Sequence, residues 1–186
     1  MAVRRWRYAL DIVSLTRAFE PRELLSIVPY LRGATVVREE RNTLRCAVDR
    51  GGEVRVSFFG GLPLRRIDDP DVAQNRVQVA SLLDLAGCKA EVVQHRAEAK
   101  DYRDIAALLA AGVGLEMILA AGRAVYGAEF VPSRTLRALT FFEDGNLPEL
   151  EQHVRAQLRG AVAAVNLEQL PALAGREGLT RQENER

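Results

Sequence analysis

The chain has 186 residues, 48% hydrophobic and 27% charged, with a formal net charge of +1 at pH 7. That balance fits one compact core with a helical appendage and excludes collagen-like, coiled-coil and wholly disordered classes. Two cysteines, Cys46 and Cys88, are too few for a protein-only structural zinc site and fit a reducing compartment.

Residues 8–15 are mostly apolar and read as a short strand. Residues 19–31 read as a helix, with Pro21 suited to its first turn and Leu24, Leu25, Ile27 and Val28 on one side. Residues 35–38 and 43–48 read as strands. Asp49-Arg50-Gly51-Gly52 is a turn and 54–58 alternates in polarity, so 43–58 reads as a hairpin. Residues 60–75 hold glycine, proline and the acidic cluster Asp68, Asp69 and Asp71, and read as a loop. A further short strand is expected at 76–79. Ser81, with Asp84 three residues on, is a helix N-cap signature. Helices follow at about 81–94, 98–111, 115–126, 133–142 and 148–165, with Gly112 and Gly127 as stops.

The expected fold class is therefore α+β: a small mixed or antiparallel sheet followed by an α-helical bundle. The expected division is an α/β unit at 1–80, a bundle packed on it at 81–165, and a flexible tail at 166–186. No apolar run approaches the ~20 residues of a membrane span. Residues 1–7 are basic, but acidic and polar residues soon follow, so no long apolar region of a secretory signal is expected. The expectation is a cytoplasmic protein with no membrane partner, its oligomeric state open.

Charge is uneven in kind and in place. Of 26 basic residues only Lys89 and Lys100 are lysine. A GC-rich coding bias explains generic arginine, which makes the two compact, tunable ammonium groups worth inspecting. Residues 1–66 carry 13 basic and 7 acidic side chains; residues 67–104 carry 5 and 8; residues 105–186 carry 8 and 10. The basic first third suits phosphate or nucleic acid, or is a solvated arginine-rich surface.

The sharpest signal is charge on an apolar face. At 100° per residue, Leu82, Leu85, Ala86, Val92 and Val93 form one stripe, and Lys89 falls in its middle. In the next helix Ile105, Leu108 and Leu109 form the stripe; Asp101 points into it and Asp104 sits at its edge. Burying such charges unpaired costs several kcal/mol. They need each other, a ligand or a water-filled cleft. The pattern fits either a phosphate- or metal-facing cleft or a structural Lys89–Asp101 ion pair.

Several spaced motifs then agree in order. Val54-Arg55-Val56-Ser57-Phe58-Phe59-Gly60-Gly61 precedes Val79-Ala80-Ser81-Leu82-Leu83-Asp84-Leu85-Ala86 with Lys89. Gln94-His95-Arg96-Ala97-Glu98-Ala99-Lys100-Asp101-Tyr102-Arg103-Asp104-Ile105 follows, and later Ala138-Leu139-Thr140-Phe141-Phe142-Glu143-Asp144-Gly145-Asn146-Leu147-Pro148. Over about residues 7–165 the chain resembles the AbiEii/AbiGii nucleotidyltransferase-like toxin family of bacterial abortive-infection and type IV toxin–antitoxin systems. The resemblance implies a partial nucleotidyltransferase-like core and transfer of a nucleotide from an NTP with Mg²⁺ to an RNA (tRNA) or protein acceptor. It implies a cognate antitoxin as partner. Lys89 matches the family's phosphate-binding lysine, and Asp101 and Asp104 match its Lys-Asp-x-x-Asp motif, so that with Asp11 these are the expected catalytic groups, Asp101 or Asp104 serving as a second carboxylate. Asp11 matches a metal-binding aspartate, and Arg7 the arginine ahead of it; Lys100 and Arg7 join Lys89 as expected nucleotide-binding groups. Arg4, Arg5 and Arg7 are expected to meet the acceptor. The front end departs from the family. Ala9 and Val13 replace a serine and the second aspartate, and a Gly-Gly segment is absent, so the active-site motifs look truncated or degenerate. The alternative function is a degenerate member that binds nucleotide, RNA or protein.

Overall fold

The computed structural model describes residues 18–74 and 77–178, and the backbone alone of 9–13. The protein is α+β, and it divides into two compact units, residues 1–63 and residues 64–186.

The first unit is a four-stranded mixed sheet with a short helix. Its elements are β1 (Ala9–Val13), α1 (Pro21–Ile27), β2 (Thr35–Glu40), β3 (Thr43–Asp49) and β4 (Glu53–Phe59). A 3-10 turn, Pro29–Leu31, follows α1. The strand order is β1-β4-β3-β2. β1 runs parallel to β4, while β2, β3 and β4 are antiparallel. The hairpin of β3 and β4 forms as its alternation predicts. Leu44 opposes Phe58, Cys46 opposes Val56 and Val48 opposes Val54. All of these but Val54 form the core with Leu31, and Val54 packs against it with Leu24, Leu25 and Val28 of the α1 segment. The turn is built by Asp49, whose carboxylate accepts from the Gly52 N–H at 3.0 Å, with Gly51 at φ 75°. Asn42 adopts φ 61° in the β2–β3 turn, where its side chain accepts from the Phe19 N–H at 2.9 Å.

The second unit begins with three two-residue strands: β5 (Arg65–Arg66), β6 (Asp71–Val72) and β7 (Gln78–Val79). The helices α2 (Leu82–His95), α3 (Ala99–Ala110), α4 (Leu115–Tyr126), α5 (Pro132–Ala138) and α6 (Gln152–Ala164) follow. A last short strand, β8 (Arg176–Glu177), pairs with β5. The expected loop at 60–75 thus contains β5 and β6, and β6 pairs with β7. Residues 64–80, read with the sheet from sequence, belong to the helical unit, because the Ile67 N–H bonds Asp84 at 2.7 Å and Ile67 packs on Ala121, Ala124 and Val125. Arg66 is buried and donates to the Glu177 and Gly178 carbonyls and to Asp69. Of the expected tail, 166–178 therefore hold structure, a 3-10 turn at Leu167–Gln169 and β8; residues 179–186 lie outside the described residues.

The core of this unit joins all five helices through residues such as Ala90, Ile105, Ile118, Leu139 and Leu158. Central α4 is apolar nearly all round, as a helix covered on most sides must be. Gly127 ends it at φ 66°. The predicted stripe of α2 holds at Ala86 and Val93 and fails at its two leucines, with Gly87 and Ala90 completing the buried side. Leu82 and Leu85 are exposed, while Ala86, Gly87, Ala90 and Val93 are buried. Small residues let α2 approach α4 closely. A Cβ on Gly87 would lie 2.8 Å from the Ala121 carbonyl oxygen. No single helix among the described residues is long and apolar enough to cross a membrane.

Gly87→Ala should therefore destabilise the helical unit by about 1–3 kcal/mol, the usual cost of overpacking against backbone. Urea unfolding at constant m-value measures it, and an unchanged midpoint refutes the close α2–α4 approach.

Candidate functional site

Ser81 starts α2 as its sequence predicts. Its hydroxyl accepts from the Asp84 N–H at 3.1 Å and donates to the Asp84 carboxylate at 2.6 Å. Lys89 lies two turns further on. Helix α3 has no side-chain cap of its own, since Glu98 makes no capping bond. Asn146 supplies one from a distant loop: its side-chain oxygen accepts from the Ala99 N–H at 2.8 Å. Gly145 allows this approach, because a Cβ there would overlap the Ala97 carbonyl oxygen and its φ is 55°. The Glu143-Asp144-Gly145-Asn146-Leu147 run thus acts structurally, fixing the first turn of the helix that carries Asp101 and Asp104.

Lys89, Asp101 and Asp104 meet. The Lys89 ammonium donates to Asp101 Oδ1 at 2.9 Å and lies 2.5 Å from Asp104 Oδ2. Asp101 is fully buried, with side-chain exposure of 0%, against 27% for Lys89 and 49% for Asp104. The other oxygen of Asp101 accepts from Arg96 Nε at 2.7 Å, and Arg96 Nη2 also reaches Oδ1 at 3.1 Å. Both carboxylate oxygens are therefore used, which is what a buried charge requires. Burial opposes the charge on Lys89, but the carboxylates of Asp104 and Asp101 outweigh it and hold its pKa above the ordinary lysine value. Burial likewise opposes ionisation of Asp101, and the bonds from Arg96 and Lys89 outweigh it, holding that carboxyl below its ordinary range. An ammonium has three donors. Asp101 and Asp104 take two of them, which leaves one for solvent or a ligand.

Lys100, the other expected nucleotide-binding lysine, pairs with Glu98 at 3.1 Å and is exposed. Asp11 lies on β1 in the sheet unit, in register with Ser57 of β4; its side chain lies outside the described residues. Arg4, Arg5 and Arg7 also lie outside them. No family model, curated protein or solved structure matches this chain.

The described donors do not fit a magnesium ion. No group of three His, Cys, Asp or Glu side chains among the described residues is placed to hold a metal. Asp101 has given both oxygens to cations, and Asp104 is neutralised by Lys89. The cluster offers a donor to an anion rather than a carboxylate set to a cation.

Sequence periodicity missed Arg96. It sits just past the last residue of α2, where helical phase no longer applies, and only the turn into α3 brings it to Asp101. Asp101→Asn leaves Lys89 and Arg96 facing a neutral amide and should cost about 3–5 kcal/mol at pH 7. The native carboxyl is depressed, so its contribution is full above its unfolded pKa of about 3.9 and fades as pH falls through the folded value. The stability gap between wild type and Asp101→Asn should then narrow from pH 7 to about pH 3 in urea unfolding. A constant gap removes the assignment.

Proposed function

We propose that this chain is a nucleotidyltransferase-type protein of the AbiEii/AbiGii class, one that takes a nucleoside triphosphate and transfers its nucleotidyl group to an RNA acceptor. One observation carries the reading: residues from two separate motifs, Lys89 with Asp101 and Asp104, converge on a single ammonium that keeps access to solvent. A purely structural pair needs one carboxylate. Asp101 alone satisfies the buried side, and Asp104 holds the open side. An exposed ion pair contributes only about 0–1 kcal/mol, so a triphosphate displaces Asp104 at small cost. Lys89 then remains neutralised, by phosphate oxygens outside and Asp101 within. Lysine suits this role as a point charge able to follow a moving phosphate. Arg96 acts through Asp101, holding the carboxylate that orients Lys89.

A second reading has its own support. The described donors do not fit magnesium, and Val13 stands where the resemblance calls for a second aspartate. The chain is then a binding module that keeps the phosphate-binding lysine without transfer.

The purified chain is incubated with magnesium, each α-labelled nucleoside triphosphate and bulk tRNA, beside Lys89→Ala and Asp104→Asn. Label in RNA from wild type, and a loss of about 10- to 150-fold in Lys89→Ala, is expected from removal of a charge-assisted bond of ~1.5–3 kcal/mol. Asp104→Asn should bind nucleotide at least as tightly as wild type. Full transfer by a folded Lys89→Ala removes the assignment. Binding without label supports the second reading.

A further inference from the structure

We propose that the cleft at the C-terminal end of α2 binds a single-stranded RNA segment, with phosphates at Arg134 and Arg137 and a base on Phe141. This rests on the RNA-acceptor reading above and gives it a place in the helical unit. The cleft has a volume of about 770 Å³ and is walled by the end of α2, by α5 and by residues 138–147. That size lies within the ~300–1,000 Å³ of sites that hold a small ligand, so it suits nucleotides of an unpaired strand rather than a folded partner.

Two features of the lining point to the ligand. Arg134 and Arg137 are both exposed, and three residues apart on a helix they share a face. Neither guanidinium has an ion-pair partner among the described residues. Adjacent like charges on one helical face repel, and an anion between them relieves the repulsion. Phe141 is the second feature. The residue is 47% exposed and lines the cleft, while its neighbour Phe142 is buried edge-on against Tyr102. An exposed aromatic face beside free arginines is the combination that stacks a base while its phosphate is held. Duplex RNA hides its bases from such a ring, so the unpaired strand is the form that fits. An acidic peptide uses the arginines but has no need of Phe141.

The remaining charges on the lining leave this balance positive. Arg96 commits its Nε and Nη2 to Asp101, His95 pairs with Glu91 at 2.7 Å, and Asp144 is the one carboxylate. Arg96 also joins the cleft to the Lys89 cluster through Asp101, so an acceptor strand held here lies against the residue that positions the phosphate-binding lysine.

The full-length chain is titrated, without nucleotide or magnesium, into a fluorescently labelled short oligouridylate across a range of salt. An RNA duplex and polyglutamate serve as competitors. Arg134→Ala/Arg137→Ala should weaken binding and lower the log–log salt slope by about 1.4, since each single-strand phosphate contact contributes ~0.7. Phe141→Ala should weaken binding about 5- to 150-fold with the slope unchanged, and Phe141→Tyr should restore it. All these positions are exposed, so matched melting temperatures check the fold. No binding by wild type, wild-type affinity in the variants, or equal affinity for the duplex overturns the proposal. Competition by polyglutamate with Phe141→Ala silent assigns the cleft to an acidic protein segment and also overturns it. Binding through the cleft by a chain that never labels RNA removes the transferase reading and keeps the cleft. Transfer that persists while the arginine pair proves irrelevant to RNA binding removes the cleft alone.

Discussion

A carboxylate with no solvent exposure fixes how the first two helices of the helical unit meet. Asp101 lies on the face of α3 that carries Ile105 and Leu108, where an unpaired charge costs several kcal/mol. It is tolerated because two cations from the α2 segment converge on it, Lys89 from within the helix and Arg96 from its end. Replacing such a group with a well-packed apolar residue is often neutral or stabilising. Stability alone is therefore weak ground for keeping it. What the arrangement provides is position: a lysine held by one buried partner and one exposed partner, with a donor to spare.

The surrounding structure serves that geometry. Gly87 brings α2 against the backbone of the buried helix α4, which backs the helix that carries Lys89. Asn146 caps α3 from across the fold, and Gly145 lets its backbone come close enough to do so. Arg103 on α3 donates its Nε–H to both carboxylate oxygens of Glu151, and Gln157 of α6 bonds the Ala106 carbonyl, tying the other side of α3 down. Each contact limits how far the aspartates of α3 can move relative to the lysine of α2.

Much of this was legible in the chain. The hairpin at 43–58 follows from period-two alternation and a Gly-Gly turn, both local properties. The Ser81 cap and the glycine stops are also local. Lys89 and Asp101 stood out because charge on an apolar helical face is expensive whatever the fold. Leu82 and Leu85 of the α2 stripe are exposed. Hydrophobicity ranks leucine above alanine, yet close helix packing selects Ala86, Gly87 and Ala90. Arg134 and Arg137 carry no signal, since arginine is common in this chain, and Phe141 stands out only as part of the 138–148 run.

The sequence by itself determined the α+β class, the order of the principal elements and the identity of the charged residues that must be satisfied. Those rest on turn chemistry, capping and periodicity, which act over a few residues. Only the tertiary structure decided the partners. Arg96 reaches Asp101 because the α2–α3 turn folds back, and Asn146 reaches Ala99 across 47 positions. Pairing of β5 with β8 spans more than a hundred residues of chain, as the Arg66 bonds to Glu177 and Gly178 do. Two-residue strands have no period to read, and a side chain's partner at long range is chosen by packing rather than by its neighbours in sequence.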